Sequence, residues 1–356
     1  MPEPPISLPP LVLAPHNNQQ LFSDYYLNRK LPERDDWRAL ADEAAAVQND
    51  VAALLAGYRA SDNEAQVEHD LVRPVLTLLG HDFEVQPALK TPDGTKRPDY
   101  VFYRSAEARD ANKSKTLTDA LLRPGGLVVG DAKAWDRPLD SALQSKSKSS
   151  DPFTNKNPSY QIAFYVQHSG LDWGILTNGR KWRLYHRESA HKLTRFYEVD
   201  LPALIASGDT ARFLYFWAFF RREAFEPGAP LGVGALLQES SDFARGVGNS
   251  LKKQVYDALH HLAQGFLDYP ANGLDARPRN AQGHLRQFAD FAVPAVVRVV
   301  RRGARVVAGA NERAVSGHVQ PSRDQAAGGR GSKSRAFFAA DERDALAAAA
   351  RIVRHH

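Results

Sequence analysis

Three ionisable residues stand in a pattern suited to chemistry on a phosphate. Asp131 and Lys133, in "VVGDAKAW", are two apart, and on a β-strand that spacing puts both side chains on one face with Ala132 turned away. A carboxylate and an ammonium therefore sit side by side. Asp99, in "RPDYVFY", opens another strand-like run. Brought alongside, it completes an oxygen-rich cage of two carboxylates and the Ala132 carbonyl, a donor set for Mg²⁺ or Mn²⁺. Such an ion neutralises charge on a scissile phosphate and acidifies the water it binds, while a neighbouring lysine orients or helps deprotonate that water. The chain has no cysteine, so thiolate metal sites and disulfides are excluded. Alone, Asp-Ala-Lys is more commonly a solvated ion pair at a strand end, so the neighbouring motifs carry the argument.

The stretch "NPSYQIAFYVQ", residues 157–167, has two readings. Asn157-Pro158-Ser159-Tyr160 resembles the Asn-Pro-Pro-aromatic turn with which adenine methyltransferases hold a flipped base. It lacks the second proline and follows a polar loop. It also precedes the one faint glycine-rich candidate for a methyl-donor turn, "EPGAPLGVGAL" at 226–236, in reverse of the usual order. The other reading places Pro158 in the first turn of a helix, where proline is well tolerated, and puts Gln161 and Tyr165 on one face, four apart. The second reading fits better.

Positioning these residues requires a mixed sheet flanked by helices. "DDWRALADEAAAVQNDVAALLAGY" and "SDNEAQVEHDLVRPVLTLLGHDF" show helical spacing, the latter capped by Ser61 or Asp62 and ended by Gly80. Three strands follow in "FEVQPAL", "PDYVFY" and "GGLVVGDAKA", the first two parted by the turn "KTPDGTKR" and the last two by a polar insert at 104–124. Then come the helix "PSYQIAFYVQHS", the strand "DWGILTN" and its hairpin partner "KWRLYHR" across Asn178-Gly179. Trp173 and Trp182 are read as packing that hairpin. From about 209 the pattern turns helical, with apolar stripes read as core, and His260-His261 are read as surface residues.

The net charge of +5 is unevenly spread. Residues 277–356 hold 15 of the 46 Lys+Arg and 6 of the 41 Asp+Glu, leaving 31 against 35 in the rest. Nucleic-acid contact must then come from local clusters: Lys90, Lys96 and Arg97, and Lys146, Lys148 and Lys156. Neither a signal peptide nor a membrane span is expected, which places the protein in the cytoplasm.

"PDY…GDAK" resembles the signature of PD-(D/E)XK nucleases, and the αβββαβ order matches that family's core. Gln161 and Tyr165 resemble the QxxxY motif of the RecB-like branch, and Glu64 resembles the acidic residue its first core helix supplies. More narrowly, "LFSDYYLNRKLPERDDW", "NEAQVEHDLVRPVLTLLG", "LTNGRKWRLY" and "QVYDALHHLAQGF" resemble the N-terminal part of type IIG restriction enzymes, over about residues 17–274. There, endonuclease and adenine-specific methyltransferase share one polypeptide. The resemblance implies a Mg²⁺-dependent endonuclease acting on double-stranded DNA, with Asp99, Asp131 and Ala132 on the metal and Lys133 on the water. Gln161, Tyr165 and Glu64 would support them, and Lys96, Arg97, Lys146, Lys148 and Lys156 would contact DNA.

It further implies a leader at 1–35, the nuclease domain at 36–208 and a helical connector at 209–276. Residues 277–356 read as a basic, largely disordered tail, with a reading-frame error as the favoured explanation. S-adenosylmethionine would belong only to a methyltransferase part beyond this fragment. A downstream methyltransferase or specificity polypeptide, and a transient dimer for double-strand cleavage, are the partners that follow. The competing functions are a DNA-binding module without catalysis and a partial chain of an adenine-specific methyltransferase.

Overall fold

The computed structural model describes residues 14–60, 63–141 and 157–269. Its strands are β1 (Asn17–Gln19), β2 (Asp82–Val85), β3 (Leu89–Thr91), β4 (Gly94–Lys96), β5 (Tyr100–Tyr103), β6 (Gly126–Ala132), β7 (Trp173–Thr177), β8 (Lys181–His186) and β9 (Phe196–Asp200). Seven of them form one mixed sheet in the order β1-β9-β8-β7-β6-β5-β2, while β3 and β4 make a separate hairpin. Within the large sheet β6 and β7 run parallel and the other neighbours antiparallel. A parallel pair needs a long crossover, and a helix supplies it here: α7 (Pro158–Ser169) lies against both strands.

The remaining helices are α1 (Asp35–Arg38), α2 (Ala41–Gly57), α3 (Glu64–Val67), α4 (Arg73–Leu78), α5 (Ala106–Asn112), α6 (Asp119–Leu122), α8 (Leu201–Ala206), α9 (Thr210–Phe220) and α10 (Val233–Asp268). Between α3 and α4 the chain continues through a π-helical turn, Glu68–Val72. Both sheet faces are covered. On β8, Trp182 and Leu184 point into one core with Phe216 and Phe220 of α9, while Tyr185 points into the other with Ile162, Tyr165 and Val166 of α7. The fold is thus α/β, a mixed seven-stranded sheet flanked by helices.

Several expectations shift in position. Asn63, not Ser61 or Asp62, caps α3: its side chain accepts the Ala65 N–H, and the other two lie outside the described residues. Gly80 ends the following stretch with φ of +77°, as read from the sequence. The β7–β8 turn has Gly179-Arg180 at its tip, because Asn178 and Lys181 already face each other; the Asn178 carboxamide accepts the Lys181 N–H. Gly179 is required there by its φ of +81° and by Leu71, whose Cδ2 would lie 2.9 Å from an added Cβ.

The domain boundaries also move. Within the expected leader, β1 pairs with β9, and Leu27 and Leu31 are fully buried, so this segment is part of the fold. Within the expected connector, every residue from Phe213 to Phe220 is buried and α9 packs on α2. A helix apolar on all sides belongs inside a core, and the compact unit accordingly runs on to Gly248. The described residues from Asn249 onward belong to a second unit and continue α10, with His260 and His261 exposed on it. Residues 277–356 lie outside the described residues. Among the described residues no helix is long and apolar enough to cross a membrane.

Candidate metal centre

Strand register brings the chemistry together. Tyr100 pairs with Gly130 and Val101 with Val129 in the antiparallel β5–β6 ladder, and one further step sets Asp99 opposite Asp131. Like charges facing each other across strands are unfavourable unless something compensates. Part of the compensation is local. The Asp99 carboxylate accepts the Ala132 N–H at 2.8 Å, which fixes it to the neighbouring strand. Lys133 Nζ lies 2.7 Å from Asp131 Oδ2, 3.8 Å from Asp99 Oδ2 and 3.7 Å from Glu64 Oε1. It also donates to the Ala132 carbonyl at 2.6 Å. The Lys133 backbone N–H bonds Thr177 O at 2.8 Å, so the parallel ladder with β7 holds this strand end in place.

Burial sets the electrostatics. Desolvation, and then the Asp131 charge, push the Asp99 carboxyl far above the ordinary aspartate range, against the pull of Lys133 and the Ala132 N–H. Glu64 also moves up, again chiefly by desolvation. Desolvation disfavours the charged Lys133, but Asp131, Asp99 and Glu64 together outweigh it and hold the ammonium protonated. Asp131 is 4% exposed. Its Oδ2 touches the lysine as an ion pair yet has no hydrogen bond of favourable angle.

One member of the cluster was not singled out in the sequence. Glu68 lies one turn after Glu64, and oxygens of Glu64, Glu68 and Asp99 all fall within 4.8 Å of one another. Its Oε2 accepts the Tyr100 hydroxyl at 2.6 Å and faces an Arg73 guanidinium nitrogen at 3.4 Å. The i, i+4 spacing from Glu64 was the available signal. Were all four carboxylates ionised, Lys133 and Arg73 would leave two negative charges over; the proton that Asp99 holds relieves one of them, and a divalent cation would balance both.

The other expected residues divide. Tyr165 is buried, and its hydroxyl donates to the Arg97 carbonyl at 3.1 Å; burial, then Asp131 and Asp99, raise its pKa and keep it protonated. Gln161 is half-buried on the same helix, and its side chain makes no hydrogen bond with the carboxylates among the described residues. Lys90 is exposed and Lys96 half-buried, while Arg97 donates to Gln86 O at 2.9 Å from an exposed position. Lys146, Lys148 and Lys156 lie outside the described residues. Asn157 caps α7 by accepting the Ser159 N–H, and Pro158 occupies its first turn, so "NPSY" opens a helix. Trp173 and Trp182 are buried in the core.

A groove of about 730 Å³ lined by Leu54, Pro74, Thr77 and Leu78 lies between α2 and α4, and none of the four carboxylates lines it. Comparisons with protein-family models, with curated proteins and with solved structures find no match.

Proposed function

We propose that this chain carries a Mg²⁺-dependent DNA endonuclease domain of the PD-(D/E)XK kind, from a type IIG restriction-modification enzyme. The observation that carries the reading is the convergence of Asp99, Asp131 and Lys133 at facing strand ends, with Glu64 within ion-pair reach of the lysine. The residues fit a hard divalent cation: a buried Asp131 oxygen without a good hydrogen bond, an oxygen-only donor set and an excess of negative charge. Asp99, Asp131 and the Ala132 carbonyl would hold it, with Mn²⁺ as a substitute. When bound, the cation supplies charge neutralisation on the scissile phosphate and a lowered pKa for water.

The chain's own residues do the rest. Lys133, kept protonated, aims its ammonium at the space between the carboxylates, where it orients the attacking water and offsets charge building on the phosphate. Tyr165, bonded to the Arg97 carbonyl, ties α7 to the segment that leads into Asp99. Lys96, Arg97 and the basic residues before α7 attract the backbone of double-stranded DNA. Gln161 would reach the phosphate on substrate binding. Supercoiled plasmid nicking with Mg²⁺, comparing wild type with Asp131→Ala and Lys133→Ala, tests the reading. Cation-dependent nicking that both variants lose is expected. Three proteins behaving alike would overturn the assignment, and DNA binding without cleavage by the wild type would identify a binding module.

A further inference from the structure

Glu68 is a buried carboxylate that the nuclease signature does not call for. Its side chain is 5% exposed, which for a charged group is costly unless the charge is used or fully paired. Only Oε2 has described partners: the hydroxyl of Tyr100, a buried residue of β5, and Arg73, whose 3.4 Å approach is long. Tyr100 follows Asp99 in sequence, so one short segment supplies both a cage carboxylate and the group that aims Glu68. Tyr100 is locked in turn by edge-on packing against Phe83 at 5.5 Å between centroids.

Two observations point toward a cation in this space. Lys133 already lodges a positive charge there, within 4 Å of three carboxylates, and Asp131 Oδ2 is buried without a well-angled hydrogen bond. The Glu64, Glu68 and Asp99 oxygens close the same space from the helix side. The π turn beginning at Glu68 shifts the helix phase after this residue, so that Leu71 and Val72 pack in the core while Glu68 faces the sheet end.

We propose that Glu68 is a further cation-holding residue of the centre, its carboxylate positioned by Tyr100 and Arg73. The inference rests on the nuclease reading of the site, but its test separates the two. Titration calorimetry of the full chain with Mn²⁺ would compare wild type, Asp131→Asn, Glu68→Gln and Tyr100→Phe. Glu68→Gln should lower Mn²⁺ affinity about ten- to hundredfold, and Tyr100→Phe, which keeps the ring but loses the hydroxyl, by up to about tenfold.

Thermal unfolding supplies the second readout. A purely structural Glu68 leaves the Mn²⁺-induced rise in midpoint intact in Glu68→Gln, whereas a cation-holding one abolishes most of that rise. Should Glu68→Gln fail to fold, Tyr100→Phe carries the test by itself. Wild-type binding that Asp131→Asn weakens, but that neither Glu68→Gln nor Tyr100→Phe changes by more than twofold, overturns this inference alone. No Mn²⁺ binding by the wild type overturns the nuclease reading along with it.

Discussion

Two clusters of buried charge sit in the same sheet, and their balance differs. At β8 and β9, Arg183 and Glu198 are about 4% exposed and pair directly; Lys181 adds a contact to Glu198 at 3.1 Å and Asn17 donates to it at 3.4 Å. The guanidinium also lies 4.0 Å over the Phe196 ring and reaches Asp140 at 3.4 Å. Both Glu198 oxygens are thereby taken, and cations match carboxylates. At β5 and β6 four carboxylates share Lys133 and Arg73, and the charge does not close. A charge-balanced cluster whose orphaned atom, Arg183 Nη1, is a donor offers a cation nothing, whereas the unbalanced one, where the acceptor Asp131 Oδ2 is buried without a hydrogen bond, has a use for one. Burial and perturbed titration alone would not separate the two, since structural ion pairs show both.

The comparison can be broken most sharply through activity. Asp131→Ala or Lys133→Ala should cut plasmid nicking about 10²–10⁴-fold while the protein stays folded, measured as nicking rate at saturating Mg²⁺. The equivalent cut at the other cluster should act on stability. Glu198→Ala strands the Arg183 charge and should cost about 3–5 kcal/mol in urea unfolding, with the nicking rate of the folded fraction unchanged. Replacing both partners, Arg183→Met with Glu198→Leu, should recover most of that loss.

These measurements need a pH at which no third group intervenes, and His81 sets the limit. Burial lowers its pKa to about 4, with Nε2 donating to Phe220 O at 2.7 Å and Nδ1 left without a partner. The folded state resists the proton that the unfolded chain takes up below its ordinary 6.5. The contribution of His81 to stability should therefore fall by about 3 kcal/mol as the pH drops from 6.5 to about 4 and stay level above 6.5, against the opposite slope of Asp99, whose raised pKa favours the folded state as the pH falls. Urea midpoints of wild type and His81→Gln across that range isolate the His81 slope by difference. The smallest effect is expected for Tyr165→Phe, which loses one hydrogen bond to Arg97 O and should cost about 1 kcal/mol of stability.

Asp131 and Lys133 were legible because strand periodicity is local: a two-residue spacing fixes a shared face without knowledge of the partner strand, whereas Asp99, on that partner strand, entered only through its motif. Glu64 was legible only through its motif. Glu68 was not, since its meaning comes from Tyr100 and Arg73, and an acidic residue one turn along a helix reads by default as solvated. The Arg183–Glu198 pair was hidden for a similar reason, its halves lying on strands joined only by the fold. Strand β1 escaped notice because three residues carry no period, and their partner is about 180 positions away. The apolar run at 213–220 was read as core but assigned to a connector, because a helical texture after a strand-rich one resembles a boundary; the packing of α9 on α2 decides otherwise.

The bond from Ala132 N–H to Asp99 makes the sheet's hydrogen-bond ladder a ruler for the centre. An insertion or deletion of one residue between Val128 and Asp131 would swing Asp131 and Lys133 to the opposite face and present Ala132 in their place. Before Val128 the ladder already absorbs one odd residue, in the register shift opposite Phe102 and Tyr103, whereas from Val128 to Asp131 the centre tolerates length changes only in pairs.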